Sequence, residues 1–340
     1  MRVTFCELLA LALFASGCCC TDEATVESMP AAAPPVHAVL AGPPAVLPIP
    51  ANIAVPDTET VVEMRNIHFR VDPQLALDIR SLKGHMQPLP GHQVIDFGDP
   101  TSFSIGIAHA DIGMSMANLT YLLKQYVFGY QGSPLTIGQV EAAGSAIRQT
   151  GTLHNVVDIP FEMTAEVSVN ADGRIRLHPT SMLICEIPGQ GLMRALDIEL
   201  EDLLDLSEAR GVVVEGNDLL MDPEALLPPP QIRGRLRAVR IEDGQLIQEF
   251  GRAEDAPEIP PASVADAANY MFYAGGTLRF GKLYMVDADL QIIDDDPADP
   301  FDFFLGDYMV QLAAGSSRTM PDAGLAAHFP DYDDIEESTP

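Results

Sequence analysis

The chain has 340 residues, with 19 lysines and arginines against 49 aspartates and glutamates, for a formal net charge of −30. A hydrophobic fraction of 47% with 6% aromatics suits a folded protein, and the length provides ample material for a core. Such acidity excludes a nucleic-acid binder, which needs a basic footprint, and a broad electrostatic grip on anionic membranes.

Residues 1–17 read as an export signal. Arg2 and the free amine form its charged start, and an apolar run from Leu8 to Ala15 follows. That run is too short to cross a bilayer, which takes about 20 apolar residues. It leads into Ala15-Ser16-Gly17-Cys18, which resembles the lipobox of bacterial lipoproteins. The resemblance implies cleavage before Cys18 and lipidation of its thiol and new amine. Several acyl chains, at about 0.8 kcal/mol per buried CH₂, hold a protein stably on a membrane. Cys19, rather than Asp, at the second mature position implies the outer membrane, facing the periplasm or the cell surface. Residues 18–60 form an Ala/Pro-rich tether, with prolines from Pro30 to Pro56 and no lysine or arginine from Thr21 onward. In polyproline conformation, at about 3.1 Å per residue, it reaches roughly 100 Å.

Alternation then predicts strands. Phe103, Ile105 and Ile107 face one way, and Phe161, Met163, Ala165, Val167 and Val169 repeat the pattern. Asn170-Ala171-Asp172-Gly173 turns this strand into Ile175 and Leu177, with Arg174, Arg176 and His178 on the opposite face. Further hairpins are expected around Gly216-Asn217 and Asp243-Gly244, and a late strand runs from Tyr284 to Ile292. Helical period appears at Leu119, Leu122, Leu123, Tyr126 and Val127 behind a Ser115 cap. It recurs at Leu192, Leu196, Leu200, Leu203 and Leu204, and a third helix is expected through Val264–Tyr273. The fold class is α+β, mainly antiparallel β, with a curved sheet packed on two or three amphipathic helices. The head divides into residues 61–256 and a β-rich extension at 257–330, closed by an acidic tail at 331–340.

Catalytic signatures are weak. Gly276-Thr277-Leu278-Arg279-Phe280-Gly281-Lys282 has P-loop spacing, but Leu283 stands where a hydroxyl must reach magnesium, so a strand with a bulge at Gly281 is expected. The histidines show no metal-ligand spacing, and no GxSxG elbow occurs. His154 and Asp158 suit a base and its orienting partner, without a nucleophile at recognisable spacing. Cys185 reads as a small buried hydrophobe, and no CxxC pair exists. No motif calls for a cofactor. Calcium is the one cation considered, at Asp294, Asp296 and Asp299, although the EF-hand order fails and a solvated Asp-Pro turn is the simpler reading. Arg233, Arg235 and Arg237 share one face of a strand, where pairing with nearby carboxylates is the default and a rim for an anionic head group the alternative.

The segment Leu227-Pro228-Pro229-Pro230, the basic strand Ile232–Ile241 and Asp243-Gly244-Gln245-Leu246 together resemble periplasmic tubular, BPI-like lipid-binding proteins. The resemblance covers residues 61–251 and implies acyl chains held between helices and a curved sheet. It places Leu119, Leu122, Tyr126, Leu196 and Leu200 in an apolar groove, with Arg235 and Arg237 at its rim. The same leucines equally suit a dry core. The leading expectation is a lipid-anchored envelope protein that binds or shuttles a lipid or other apolar ligand without catalysis. A structural or interaction lipoprotein with an acidic face, and an envelope hydrolase, are the alternatives. Replacing Cys18 by Ser should move the protein from the membrane to the soluble fraction of fractionated cells; unchanged membrane retention would remove the anchor.

Overall fold

Three long strands make the spine of the molecule: β1 (Thr60–Asp72), β2 (Leu75–Pro88) and, after a short β3 (Ile95–Asp96), β4 (Phe103–Ser115). All three alternate buried and half-buried residues, and each changes phase once. In β1 the inward residues are Thr60, Val62 and Met64, then Ile67 and Phe69, with the change at Asn66. Asn66 takes a left-handed φ of 54°, which asparagine tolerates better than most residues. In β2 the inward set passes from Leu75, Leu77 and Ile79 to Leu82 and Met86, and in β4 from Ile105 and Ile107 to Ala110, Ile112 and Met114. Register shifts mark both places, as a bulge requires. The structure is a computed structural model and describes residues 59–338 except 155–156, 185–186, 189–199, 203, 258–266 and 322.

Helix α1 (Met116–Leu122) follows directly, and its Ser115 cap accepts the Asn118 N–H at 3.1 Å as expected. The chain then widens by one turn, Phe128 N–H bonding to Leu123 O at 2.8 Å. A second, antiparallel sheet comes next: β5 (Leu135–Ala143), β6 (Ala146–His154), β7 (Asp158–Val169) and β8 (Ile175–Ile184) form a meander. The other edge of β8 is shared by the short β9 (Ile187–Pro188) and by the hairpin β10 (Val212–Glu215) and β11 (Asp218–Met221).

After α2 (Pro223–Leu226) the chain returns to the first sheet. It adds β12 (Gln231–Arg233), β13 (Leu236–Glu242) and β14 (Gln245–Gly251). The Asp243-Gly244 turn has positive φ at both residues, as a tight hairpin of matching twist requires. Strands β15 (Tyr270–Phe280) and β16 (Leu283–Asp294), then β17 (Phe301–Phe304), α3 (Tyr308–Ala314), β18 (Ser316–Thr319), β19 (Leu325–Phe329) and α4 (Tyr332–Ser338), complete it. The sheet order is β13-β14-β4-β2-β1-β15-β16-β19-β18.

The fold is therefore α+β and mainly antiparallel β, with the helices corrected in detail. Tyr270–Tyr273, expected in a third helix, lie in β15, where they pair with Arg65–Val62 of β1. The expected helix around Leu192–Leu204 falls largely outside the described residues. Leu200–Asp202 form a short turn bonded to the β10–β11 hairpin through Leu200 N–H to Asn217 Oδ1, 3.0 Å. Gly281-Lys282 make the turn between β15 and β16 rather than a bulge. Cys18 and Cys185 lie outside the described residues.

The C-terminal region is built into the same sheet. β15 flanks β1, and β17 runs parallel beside the far half of β1. Phe97, Phe280, Phe301, Phe303, Tyr308 and Phe329 form one buried aromatic cluster. The principal core spans both sheets, so residues from β4, α1, β5 and β8 pack with those of β15 and β17. Replacing Phe303 by Ala should cost about 3–5 kcal/mol in a single cooperative urea transition. A separate early C-terminal transition would contradict the shared core.

Candidate functional site

The outer edge of β4 has two tenants. Ser104–Gly106 pair in parallel with β12, and His109–Ser115 pair with β14. Between them the chain crosses over Ile107 at Gly234, where a Cβ would lie 2.9 Å from Ile107 Cβ and 3.2 Å from its carbonyl oxygen. Glycine permits this crossing, and Arg235 is the next residue. Its backbone is fixed by Gly251 N–H to Arg235 O at 3.0 Å. The side-chain stem passes over Gly173, and a guanidinium N–H reaches Ala171 O at 3.0 Å. The turn that presents Ala171 and Gly173 is the predicted Asn170–Gly173, closed by Asn170 Oδ1 accepting from Asp172 and Arg174 N–H. Arg235 thus joins a turn of the second sheet to the edge of the first.

A cleft of about 560 Å³ opens there. Its walls are the turn at 171–174, the segment Asp222–Glu224 and the crossing Gly234-Arg235. Asp222 caps α2 by accepting the Glu224 N–H at 3.0 Å, and Glu224 Oε1 accepts the Gly234 N–H at 2.8 Å. Their carboxylates are held by backbone amides, and neither pairs with an arginine among the described residues.

Here the expected ion pairing fails. Arg233, Arg235 and Arg237 bond to Gln231 Oε1, Ala171 O and Gly251 O. Arg210, whose guanidinium takes the carbonyls of Ala225 and Leu227 beside the cleft, and Arg174 likewise have no carboxylate partner among the described residues. Elsewhere pairing is the rule: Arg279 with Asp96 at 2.9 Å, Arg176 with Asp218 at 2.5 Å, Arg240 with Glu242 at 2.8 Å. Comparison with protein-family models, curated proteins and solved structures finds no match. Function rests on the site alone.

Leu119 and Leu122 are buried in the core between the sheets, against Met114, Met221, Leu226 and Leu246. The space left there is about 20 Å³, room for about one water. Tyr126 turns the other way and donates to Asp72 Oδ2; burial and that carboxylate push its pKa up. Leu200 is buried at the β10–β11 end, and Leu196 lies outside the described residues. Pro223 lines both the closed cavity and the cleft, separating the arginines from the leucines. Asp222 and Glu224 were not marked by the sequence; Arg174 was read only as a residue of the strand after the turn, and Gly234 only as part of the basic strand.

Asp294, Asp296 and Asp299 lie on a network centred on an amide. Asn269 Nδ2 donates to Asp294 Oδ2 at 2.7 Å and meets the carbonyls of Asp296 and Asp299. Asn66 donates to Asn269 Oδ1 at 2.7 Å, which ties the network to the phase change in β1. Among the described residues no group of three or more His, Cys, Asp or Glu side chains is arranged to hold a metal. Asp295–Pro300 are exposed, as a solvated Asp-Pro turn requires, whereas β16 is an inner strand rather than an edge, and the flanking Asp294 and Asp302 are buried. Arg70 clamps Asp302 through two bonds of 2.7 and 2.8 Å, and the expected tail docks as α4, with Asp333 also on Arg70.

The structure supplies a hydroxyl for His154. Thr136 Oγ1 lies 2.7 Å from Nε2, and Asp158 Oδ1 lies 2.8 Å from Nδ1. The atom order suits a nucleophile, base and orienting acid. All three side chains are exposed at the open end of β5–β7, Asp158 by 74%, and neither cavity reaches them. A solvated relay of this kind leaves the hydroxyl unactivated.

Asp331 carries the most informative titration. Burial and the neighbouring Asp294, Asp299 and Asp302 raise its pKa to about 7, against the opposing Asp302 N–H bond of 2.6 Å. The unfolded chain releases this proton near pH 4, so the folded protein binds the extra proton between about pH 4 and 7. The Asp331 contribution to stability therefore falls as pH rises through that window. Replacing Asp331 by Asn should raise the melting temperature relative to wild type by a few degrees more at pH 8 than at pH 5. An equal offset at both pH values would contradict the assignment.

Proposed function

We propose that this chain is a lipid-anchored, non-catalytic protein of the cell envelope whose folded head receives a charged head group in the cleft around Arg235. The observation that carries the reading is that Arg174 and Arg235, which line the cleft, have no carboxylate partner among the described residues in a protein of net charge −30. Unpaired guanidinium groups at a concave surface suit oxyanions, which they bind through charge-assisted hydrogen bonds. The lipobox-like Ala15–Cys18 and the proline-rich tether support placement at the outer membrane, within reach of lipids and envelope solutes.

The closed core changes the form of the lipid hypothesis. With about 20 Å³ beside Leu119, Leu122 and Pro223, this pocket is too small for an acyl chain. An amphiphile would be held by its polar end, its tail left in the membrane or in solution. This also favours an interaction protein over a shuttle that extracts lipid.

Arg235→Glu should weaken binding of soluble short-chain phospholipids to the full chain at least tenfold, as measured by isothermal titration. A charge-assisted hydrogen bond is worth about 1.5–3 kcal/mol, enough for that loss. Arg235→Gln, which removes the charge and keeps a donor to Ala171, controls for the brace between the sheets. Unchanged affinity in both variants would sink the reading. Loss of melting temperature without loss of affinity would reduce Arg235 to a structural brace.

A further inference from the structure

The cleft carries both signs of charge, and they do not cancel each other. Arg174 and Arg235 line it together with Asp172, Asp222 and Glu224. Opposite charges sharing a concave site normally pair off, since each pair gains Coulomb energy and loses little solvation at a surface. Here no such pair forms among the described residues. Arg235 is drawn to Ala171 O, Asp222 to the Glu224 N–H, and Glu224 to the Gly234 N–H. Each of those carboxylates spends one oxygen on an amide, and its second oxygen has no partner among the described residues. Arg174 and the Asp172 carboxylate are also free of partners there.

A simple anion is a poor match to such a lining. Three carboxylates against two guanidinium groups leave the walls formally negative, on a molecule already at −30. A bare phosphate in the cleft would meet repulsion from Asp172, Asp222 and Glu224 as well as attraction from the arginines. A simple cation meets the converse problem at Arg174 and Arg235. A ligand bearing both signs satisfies both sets, and the volume of about 560 Å³ accommodates a group of that size.

Resting on the reading of this cleft as the binding site, the structure assigns it to a zwitterion, with a phosphate or carboxylate on Arg174 and Arg235 and an ammonium on Asp222, Glu224 and Asp172. Phosphoethanolamine has this chemistry, as a free solute or as a lipid head group. Glu224 is the residue that discriminates: its held carboxylate sets a fixed negative point for the ammonium.

The test is isothermal titration of the detergent-solubilised full chain with phosphoethanolamine, inorganic phosphate and ethanolamine. Phosphoethanolamine should bind at least tenfold more tightly than either fragment. Glu224→Gln retains an acceptor for the Gly234 N–H, so the loop stays in place. In that variant phosphoethanolamine should lose its advantage while phosphate binds as well as before or better. Asp172→Asn, at an exposed turn position, should act in the same direction with a smaller effect. Tighter binding of dihexanoyl phosphatidylethanolamine than of phosphoethanolamine would identify the lipid as the source, and equal affinity the free solute. Phosphate binding as tightly as phosphoethanolamine would overturn the zwitterion and leave the arginine cleft standing. Ethanolamine alone matching phosphoethanolamine would also overturn it. Binding of none of these probes, lipid included, would remove the cleft as a site.

Discussion

Hydrogen bonding along the spine strands β1, β2 and β4 is the constraint on which the rest of the molecule depends. Buried strands must satisfy their backbone amides and carbonyls, and these three strands are longer than most of the elements beside them. β2 lies between the other two and is covered along most of its length. The free edges of β1 and β4 are each filled by two partners. β15 and β17 divide β1 at Asn66, and β12 and β14 divide β4 near Ile107. The division of β1 draws the C-terminal region into the sheet, with Arg70 and Asp302 locking it. The division of β4 makes the crossing at Gly234 that presents Arg235.

The charge distribution follows from the same architecture. The many acids after Asp287 looked like a solvated face, yet several are structural. Asp294 binds Asn269, Asp302 binds Arg70, and Asp331 accepts the Asp302 N–H. Carboxylates brought this close raise one another's cost of ionisation, the more so when burial removes water. At the opposite extreme, Arg174 and Arg235 beside the cleft have no carboxylate partner among the described residues, while Asp222 and Glu224 each accept a backbone N–H. The molecule therefore concentrates carboxylates where they brace the fold and leaves cations free where the two sheets meet.

Much of the local structure was legible. Ser115 caps its helix, Asn170–Gly173 and Asp243-Gly244 turn their hairpins, and Phe103, Ile105 and Ile107 share a buried face. These features depend on neighbours in sequence, so composition and period reveal them. Tyr270–Tyr273 went wrong because a short apolar run carries no decisive period, and pairing with β1 decided its state. The phase changes at Asn66, Arg80-Ser81 and Ala108-His109 were equally invisible, since a bulge shows itself through the partner strand. At the candidate site, Arg235 was visible as an alternating arginine. Glu224 was not, because nothing local to it marks a partner ten residues away, and Arg174 showed only as one residue on a strand's polar face.

The sequence by itself determined the class of the fold, the first helix and the hairpins, because these rest on period-2 and period-3.6 burial and on turn chemistry. Whether Leu119 and Leu122 line a groove or fill a core was a matter for the tertiary structure. The amphipathic stripe is the same in both cases, and the distance between the sheets decides. Whether Arg235 is paired was settled there too, since Coulomb pairing needs proximity in space. In this molecule the backbone amides of Glu224 and Gly234 reached the carboxylates first.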